Sequence, residues 1–216
     1  MKRIVLGITG ASGAPYAQRA LQFLREQTSI EVDLVFTRTG RVVWNHEVGT
    51  DPAEFGYRIW NPGDFTAPFA SGSARVDGML VLPCSVGSAA RIAHGLSTDL
   101  VGRAGDVMLK ERRPLVLVVR ETPFSLIHLR NLTQLAEAGA VVMPASPGFY
   151  HRPKTVQDLV DHVVGRALDR LGVDNELFRR WSGLGEKLLG KLETLSGDLD
   201  PLTASAVGMN RLRVGG

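Results

Sequence analysis

The chain has 216 residues, of which 44% are hydrophobic and 22% are charged, a composition typical of a folded protein with a substantial core. Its formal net charge of +3 argues against a broad nucleic-acid-binding surface, and its single cysteine excludes an internal disulfide framework or a multi-cysteine metal site. Uncharged stretches, such as residues 78–90, are all shorter than the roughly 18 residues of a membrane-spanning helix. We therefore expect a cytoplasmic protein that binds neither nucleic acid nor membrane.

Short runs of β-branched and aliphatic residues alternate with amphipathic segments along most of the chain. The runs predict strands at residues 3–8, 31–36, 78–82, 115–119 and 140–143. Apolar residues at helical spacing predict helices at about 14–27, 40–48, 86–112 with a break near Gly95, 124–138 and 155–171. This alternation predicts an α/β fold with a doubly wound parallel sheet.

Two segments fit the alternation less well. Residues 49–75 are rich in glycine, proline and aromatic residues and are interpreted as an insertion between the second and third strands. Beyond Gly172 a helical pattern continues to about Lys191 and is followed by a tail. We predict one domain over residues 1–172, and a C-terminal helix and tail over 173–216 that either contacts a neighbouring subunit or is partly disordered.

Small, hydroxylated and glycine residues follow the predicted strands. Thr-Gly-Ala-Ser-Gly at 9–13 follows the first strand, Thr37 the second, residues 83–88 the third, residues 120–123 the fourth and residues 144–150 the fifth. The carboxyl ends of parallel strands form the ligand crevice of an open sheet. Because such residues let backbone N–H groups approach an anion, these loops predict a nucleotide-sized ligand.

The glycine loop also allows a nicotinamide-dependent short-chain dehydrogenase, since Tyr150 and Lys154 have the Tyr-x-x-x-Lys spacing of those enzymes. Pro153 lies between the two residues, and a proline inside a helix costs about 3 kcal/mol. Phe36-Thr37-Arg38, after the second strand, offers no carboxylate for an adenosine ribose. The sequence therefore disfavours the dehydrogenase.

Six blocks of the sequence resemble the signatures of the UbiX flavin prenyltransferases. The blocks are Thr9-Gly10-Ala11-Ser12-Gly13, Ala70-Ser71-Gly72-Ser73, Pro83-Cys84-Ser85, the stretch from Leu109 to Leu117, Arg120-Glu121-Thr122-Pro123 and Pro147-Gly148-Phe149-Tyr150. The resemblance implies a flavodoxin-like fold and transfer of a dimethylallyl group from dimethylallyl phosphate to reduced FMN. The product, prenylated FMN, is the cofactor of UbiD-type decarboxylases. A homo-oligomer, commonly a dodecamer, is also implied.

The same resemblance implies the residues of the site. FMN would be held by Gly10, Ala11, Ser12, Thr37, Ser85, Val86, Gly87, Ser88 and Arg120. Dimethylallyl phosphate would be bound by Arg103, Lys110, Arg120, Glu121, Tyr150, Arg166 and Trp181, the last matching an aromatic that closes the site from a neighbouring subunit. Catalytic roles would fall on Ser12, Glu47, Lys110, Glu121 and Tyr150. In this scheme Ser12 and Glu47 relay the proton that leaves flavin nitrogen N5.

The residue types suit that reaction. Breaking the carbon–oxygen bond of an allylic phosphate leaves a delocalised cation and a phosphate anion, and fixed cations and a phenol stabilise the anion without a metal. Two positions depart from the family: Thr37 stands where serine is common, and Phe65 stands where tryptophan is common, so a smaller π-face would meet the allyl group.

Two other functions stay open at this point. An FMN-dependent cysteine decarboxylase of the related fold group would need its own substrate-recognition motif and an active-site histidine, and neither is found. A non-catalytic flavoprotein would not need a second set of cations. We expect Cys84 to be a buried packing residue. The five histidines, His46, His94, His128, His151 and His162, show no metal-binding spacing.

Overall fold

The structure is a computed structural model that describes residues 1–183. The chain divides into two compact units, Met1–Arg179 and Arg180–Gly216. Buried aliphatic runs form a six-stranded parallel sheet in the first unit. The strands are β1 (Lys2–Ile8), β2 (Ile30–Phe36), β3 (Arg58–Trp60), β4 (Gly78–Cys84), β5 (Leu115–Val119) and β6 (Val141–Pro144), in the order β3-β2-β1-β4-β5-β6.

The predicted doubly wound sheet is confirmed. The five longer strands keep the flavodoxin order, with β1 pairing in parallel with both β2 and β4. The helices are α1 (Ala14–Arg25), α2 (Arg38–Glu47), α3 (Val86–Ala93), α4 (Leu100–Lys110), α5 (Leu126–Glu137) and α6 (Val156–Arg170). The break predicted near Gly95 separates α3 from α4, and Gly95 has the positive φ of 65° that favours glycine.

The two faces of the sheet bury separate apolar clusters. In β1, Ile4, Leu6 and Ile8 belong to one cluster and Val5 to the other, as the alternation of a strand requires. Residues of α1, α2 and α6 complete the first cluster, and residues of α3, α4 and α5 complete the second. The sheet therefore separates α4 from α6.

The short edge strand β3 was not predicted, because it lies within the glycine- and proline-rich segment interpreted as an insertion. It is held to the sheet by Asp33 of β2, whose carboxylate is 2% exposed and accepts a hydrogen bond from the Trp60 indole at 2.7 Å. The other carboxylate oxygen accepts from the Arg3 side chain at 2.7 Å, and this hydrogen bond raises the pKa of Arg3. The guanidinium of Arg58 lies 3.5 Å from the centre of the Trp60 ring.

The helix predicted to continue beyond Gly172 does not form over residues 173–183, which contain no regular helix or strand. Gly172 has a φ of 63° and ends α6, with Val173 N donating to Leu168 O. The Asn175 amide then donates to Gly165 O and Val173 O, local bonds that compete with helical ones. The rest of the predicted helix and tail lies outside the described residues.

Within residues 1–183, no helix combines the length and the apolar character needed to span a bilayer.

Replacing Asp33 with alanine is expected to lower the free energy of unfolding by about 2–4 kcal/mol, because the Trp60 N–H and the Arg3 guanidinium lose a buried acceptor. Urea unfolding at pH 7 measures the change. Asp33→Asn, which keeps one acceptor oxygen, should lose less. Asp77→Ala removes an exposed acceptor of Arg3 N and is the control. Equal losses for the Asp33→Ala and Asp77→Ala variants would contradict the role of this buried network.

Candidate active site

Two loops meet at the carboxyl ends of β1 and β4, the point where the order of the strands reverses. The buried Thr9 hydroxyl joins them: it donates to Pro83 O at 2.8 Å and accepts from Ser85 N at 2.7 Å. The Thr9 amide also donates to Pro83 O, at 3.2 Å. These bonds set the spacing between loop 9–13 and loop 83–88, which the sequence predicts to share one ligand.

The second loop begins α3 with a hydroxyl network. Ser85 is the N-cap, and its Oγ accepts from Ser88 N at 3.2 Å. The Ser88 hydroxyl accepts from the Arg91 guanidinium at 3.0 Å. A Cβ added at Gly87 would meet nothing closer than Arg91 Nη1 at 3.9 Å. Packing within the protein therefore does not require a glycine at position 87. A flat ligand that approaches the backbone beside Val86 would require one, because a side chain would block it.

The first loop places Ser12 beside Glu47 and Arg120. One oxygen of the Glu47 carboxylate accepts from Gly13 N and from Ala14 N, each at 2.8 Å, so α2 and α1 are joined through this side chain. The Ser12 hydroxyl also hydrogen-bonds the carboxylate. Arg120 Nε donates to Ser12 O at 3.0 Å. Loop 9–13, the end of α2 and the residue after β5 thus converge on one cluster.

The electrostatics of this cluster favour an ionised Glu47. Burial raises the pKa of Glu47, but the hydrogen bonds from the Ser12 side chain and from the amides of Gly13 and Ala14, with the charge of Arg120, outweigh it. The net result is a lowered pKa. Glu47 is therefore a carboxylate at neutral pH, already surrounded by donors.

Gly10, Ala11 and Thr37 line the neighbouring part of the rim. A Cβ at Gly10 would collide with the Thr39 side chain, so this position needs glycine. Thr37 is the buried N-cap of α2, accepting from Gly40 N at 3.0 Å, and its hydroxyl is 3.4 Å from that of Thr39. The predicted site omits Thr39, although a second hydroxyl two residues beyond the Thr37 cap was a signal for it.

These two loops fit the phosphate and the ring of FMN. Backbone N–H groups at the start of α3, the hydroxyls of Ser12 and Thr37 and the open space at Gly87 are the donors and the clearance that a flavin nucleotide needs.

The predicted phosphate-binding residues are not all brought together within the chain. Arg120 lies at the carboxyl rim. Tyr150 and Arg166 lie on the α6 side of the sheet, both adjoining His162. Arg103 and Lys110 lie on α4, across the sheet. Lys110 also precedes the amino end of β5, whereas Arg120 follows its carboxyl end, a strand length of about 17 Å away for five residues.

Side chains on α4 are held by their own neighbours. Arg103 donates to Ala70 O at 2.9 Å and to Asp106 at 2.8 Å, and Lys110 is paired with Glu111. Beyond Arg120, Glu121 is half-buried and accepts from Thr122 N at 3.0 Å. Arg103 and Lys110 thus belong to a second polar cluster on α4, across the sheet from α6.

Trp181 belongs to the second unit, and its side chain is 59% exposed.

Cys84 is fully buried at the end of β4, as expected for a packing residue. Burial raises the pKa of its thiol to about 12, so it is not a thiolate nucleophile at neutral pH. Within the described part of the chain, no three His, Cys, Asp or Glu side chains are grouped to hold a metal ion.

Glu47→Gln is expected to lower the free energy of unfolding at pH 7 by about 1–2 kcal/mol, because hydrogen bonds to a charged acceptor are lost. Because the pKa of Glu47 is lowered in the folded protein, the stabilisation by its carboxylate is fully present at pH values above the ordinary glutamate pKa of 4.5. This stabilisation is lost as pH falls through the lowered pKa. The stability gap between the parent and Glu47→Gln should therefore narrow between pH 7 and about pH 3. Glu26→Gln, at the exposed end of α1, is the control. A gap that does not change with pH would contradict the charged state of Glu47.

Comparison with known proteins agrees with this geometry. The Flavoprotein family model matches residues 1–168. Over 200 residues the chain is 47% identical to the flavin prenyltransferase UbiX of Synechocystis sp., an alignment that covers 83% of this chain and 96% of the relative.

Solved structures give the same result. The fold is similar to that of AnUbiX (PadA1) in complex with FMN and dimethylallyl pyrophosphate, with a TM-score of 0.82, 43% identity, and coverage of 85% of this chain and 98% of that one. It is also similar to a dodecameric FMN-dependent UbiX-like decarboxylase from Escherichia coli O157:H7, with a TM-score of 0.81, 43% identity, and coverage of 84% and 100%. The cysteine decarboxylase SpaF, at 18% identity and a TM-score of 0.58, shares the fold alone. The resemblance carried by the sequence motifs is thus confirmed, and the chain belongs to the UbiX flavin prenyltransferases of the Flavoprotein family.

Proposed function

We propose that this chain transfers a dimethylallyl group from dimethylallyl phosphate to reduced FMN, giving prenylated FMN. The observation that carries the proposal is the cluster of Ser12, Glu47 and Arg120 beside the open start of α3. A cofactor loop alone would need only the backbone donors and the capping hydroxyls. The ionised carboxylate joined to a serine hydroxyl adds a route for a proton.

FMN would be held by the two loops at the rim. Ser12, Thr37, Arg120 and the first turn of α3 supply its donors, while Gly10 and Gly87 keep its path clear. Reduced FMN supplies the nucleophilic ring that accepts the prenyl group.

Ser12 and Glu47 would move the proton that the acceptor ring loses from nitrogen N5. The Ser12 hydroxyl donates its proton to a hydrogen bond with Glu47. The lone pairs of the Ser12 oxygen are therefore able to accept a proton from the ligand side. Because the pKa of Glu47 is lowered, it is a weak final base. Its part is to orient and polarise the Ser12 hydroxyl and to pass the proton on towards solvent.

The leaving phosphate would be bound by cations and a phenol from two copies of the chain. Arg120, Tyr150 and Arg166 would come from one copy, with Glu121 next to Arg120. Arg103 and Lys110 would come from another, because the sheet separates α4 from α6 within a chain. Fixed donors that need no reorganisation as charge develops stabilise such an anion strongly.

Exposed apolar side chains support an assembly of several copies. Leu126, Ile127 and Leu129 of α5 are 60%, 69% and 48% exposed, and Phe149 in the loop before α6 is 70% exposed. Apolar residues grouped in this way mark protein–protein contacts. A homo-oligomer, a dodecamer like the Escherichia coli relative, would cover them and would bring Trp181 of a neighbouring copy to the site.

The product would pass to a UbiD-type decarboxylase in the cytoplasm. A single free cysteine is typical of a protein from a reducing compartment.

Incubation of the purified protein with FMN, a reductant and dimethylallyl phosphate under anaerobic conditions is expected to increase the flavin mass by one five-carbon unit. Mass spectrometry of the extracted flavin measures it. Tyr150→Phe should form product about 10²-fold more slowly while keeping FMN, because one fixed donor to the phosphate is lost. An unchanged flavin mass, with carbon dioxide released from a peptide ending in cysteine, would instead support the decarboxylase.

Mixing two inactive variants tests whether each site uses two chains. Lys110→Ala and Tyr150→Phe are each expected to be slow alone. Co-expressed in equal amounts, they should recover activity in about a quarter of the sites, those that receive an intact Lys110 from one chain and an intact Tyr150 from the other. The double variant Lys110→Ala/Tyr150→Phe, co-expressed with either single variant, should give no recovery. No recovery in the first mixture would mean that both residues act from one chain.

A further inference from the structure

The loop between β6 and α6 carries Tyr150, and its path is set by close packing at Gly148. A Cβ added at Gly148 would lie 3.2 Å from Tyr150 Cδ1 and 3.4 Å from His162 Cε1. Gly148 therefore lets the backbone lie against the Tyr150 ring and His162 together. The Tyr150 side chain itself remains 43% exposed.

His162, a buried residue of α6, is the point to which this loop is attached. Its Nδ1 accepts a hydrogen bond from Gly148 N at 3.2 Å. Its ring stacks on that of His151, with centroids 5.0 Å apart and planes 3° apart, while Tyr150 lies edge-on to it at 5.7 Å. Phe178 packs on it edge-on at 4.9 Å. His162 is thus fixed by the helix and by Phe178, and the loop is built on it.

The hydrogen bond defines the state of His162. A nitrogen that accepts from a backbone amide carries no proton, so the ring is neutral with its proton on Nε2. A protonated ring would have no acceptor for Gly148 and would face its stacked neighbour His151 as a like charge whenever both were protonated.

We infer that His162 is a positioning residue for the prenyl transfer, and that its neutral ring holds the 147–152 loop in the conformation that directs Tyr150 to the leaving phosphate. This inference rests on the proposed function of Tyr150. His162 does not contact the substrate in this scheme; it acts through the loop.

His151 contributes packing to this arrangement but no hydrogen bond. Within residues 1–183, its two ring nitrogens are the buried side-chain polar atoms that have no hydrogen-bond partner. An unpaired buried polar group is unfavourable. Because the His151 ring makes no hydrogen bond to the described part of the chain, packing alone holds it against the ring of His162. A proton on His162 Nδ1 would therefore remove the Gly148 hydrogen bond and leave only this packing to hold the Tyr150 loop.

The groups around His162 define the expected pH range. They are His151 and Tyr150 on the loop, Asp158 at the start of α6, whose charge interacts with His151, and Arg166 one turn further along α6. Asp161 is paired with Arg19 of α1. Burial, then the nearby charges of His151 and Arg166, lower the pKa of His162 from its ordinary 6.5. The hydrogen bond that attaches the loop to His162 is therefore fully present above pH 6.5 and is lost as pH falls through the lowered pKa of His162.

Two replacements at His162 separate its hydrogen bond from its bulk. His162→Phe keeps an aromatic ring against His151 and Phe178 but has no acceptor. His162→Asn places an amide oxygen close to the position of Nδ1, accepts from Gly148 N and does not titrate. If His162 acted by packing alone, His162→Phe would preserve the loop and the activity better than His162→Asn. Our inference predicts that His162→Asn preserves them better.

Hydrogen exchange measured by mass spectrometry on the assembled, FMN-loaded protein provides a readout independent of activity. At a fixed pH near 7.5, peptides covering residues 146–152 should exchange several-fold faster in His162→Phe than in the parent, and at the parental rate in His162→Asn. The remaining peptides of α6 should be unchanged. Parental exchange in His162→Phe would overturn the inference.

Kinetics then test whether His162 acts through Tyr150. His162→Phe should reduce the rate of prenylated FMN formation about tenfold, as misplacement of a fixed group does. In the Tyr150→Phe background the same change should have less than about a twofold effect, because the phenol it positions is already absent. An equal loss in both backgrounds would show a general structural role and would overturn the inference.

The pH profile is the final comparison, and it applies even if the phenylalanine variant fails to assemble. The parent should lose activity as pH falls below 6.5 and through the lowered pKa of His162, and His162→Asn should keep more activity there, while other titrating groups affect both proteins alike. Coincident profiles would overturn the inference. A parent protein that forms no prenylated FMN at any pH would instead contradict the proposed function, and the exchange experiment would still test the loop attachment.

Discussion

The parallel pairing of β1 with β4 is the contact on which the whole rim depends. It brings two loops that are far apart in the sequence to neighbouring positions, and the buried Thr9 hydroxyl then fixes their separation through Pro83 and Ser85. Every donor assigned to FMN is placed relative to that junction. A sheet with any other neighbour for β1 would leave the glycine loop and the start of α3 without a common ligand.

The sheet also acts as a partition. Charged side chains on α4 and on α6 belong to opposite layers, so Arg103 and Lys110 do not join Arg166 on one side of the sheet within a single chain. The residues proposed for the proton relay and for the phosphate are also held in place in different ways. Glu47 is saturated with donors from its own chain, whereas Tyr150 depends on a loop attached to His162.

The sequence predicted the long elements well because they are governed by local rules. Strand β5 has the expected bounds, and α6 at Val156–Arg170 lies within the helix predicted at about 155–171. The edge strand β3 escaped prediction because its stability comes from Asp33, a residue of another strand. The helix predicted after Gly172 from apolar spacing does not form over residues 173–183, where Asn175 makes other hydrogen bonds. His162 was beyond reach for a similar reason, because its role depends on a contact with another segment, whereas the Thr39 hydroxyl two residues after the Thr37 cap was visible in the sequence.

The placement of Arg103 and Lys110 across the sheet from Tyr150 has a genetic consequence. In an assembly whose sites are shared between copies, an allele encoding a stable chain with a damaged α4 surface would be built in beside normal chains and would spoil pockets that the normal chains had half completed. An allele encoding an unfolded chain would never be incorporated and would only halve the supply. The two defects would nevertheless leave equal numbers of intact sites, because the mixed assembly contains twice as many chains and half of its pockets still receive Lys110 from a normal chain. Both defects would therefore be recessive.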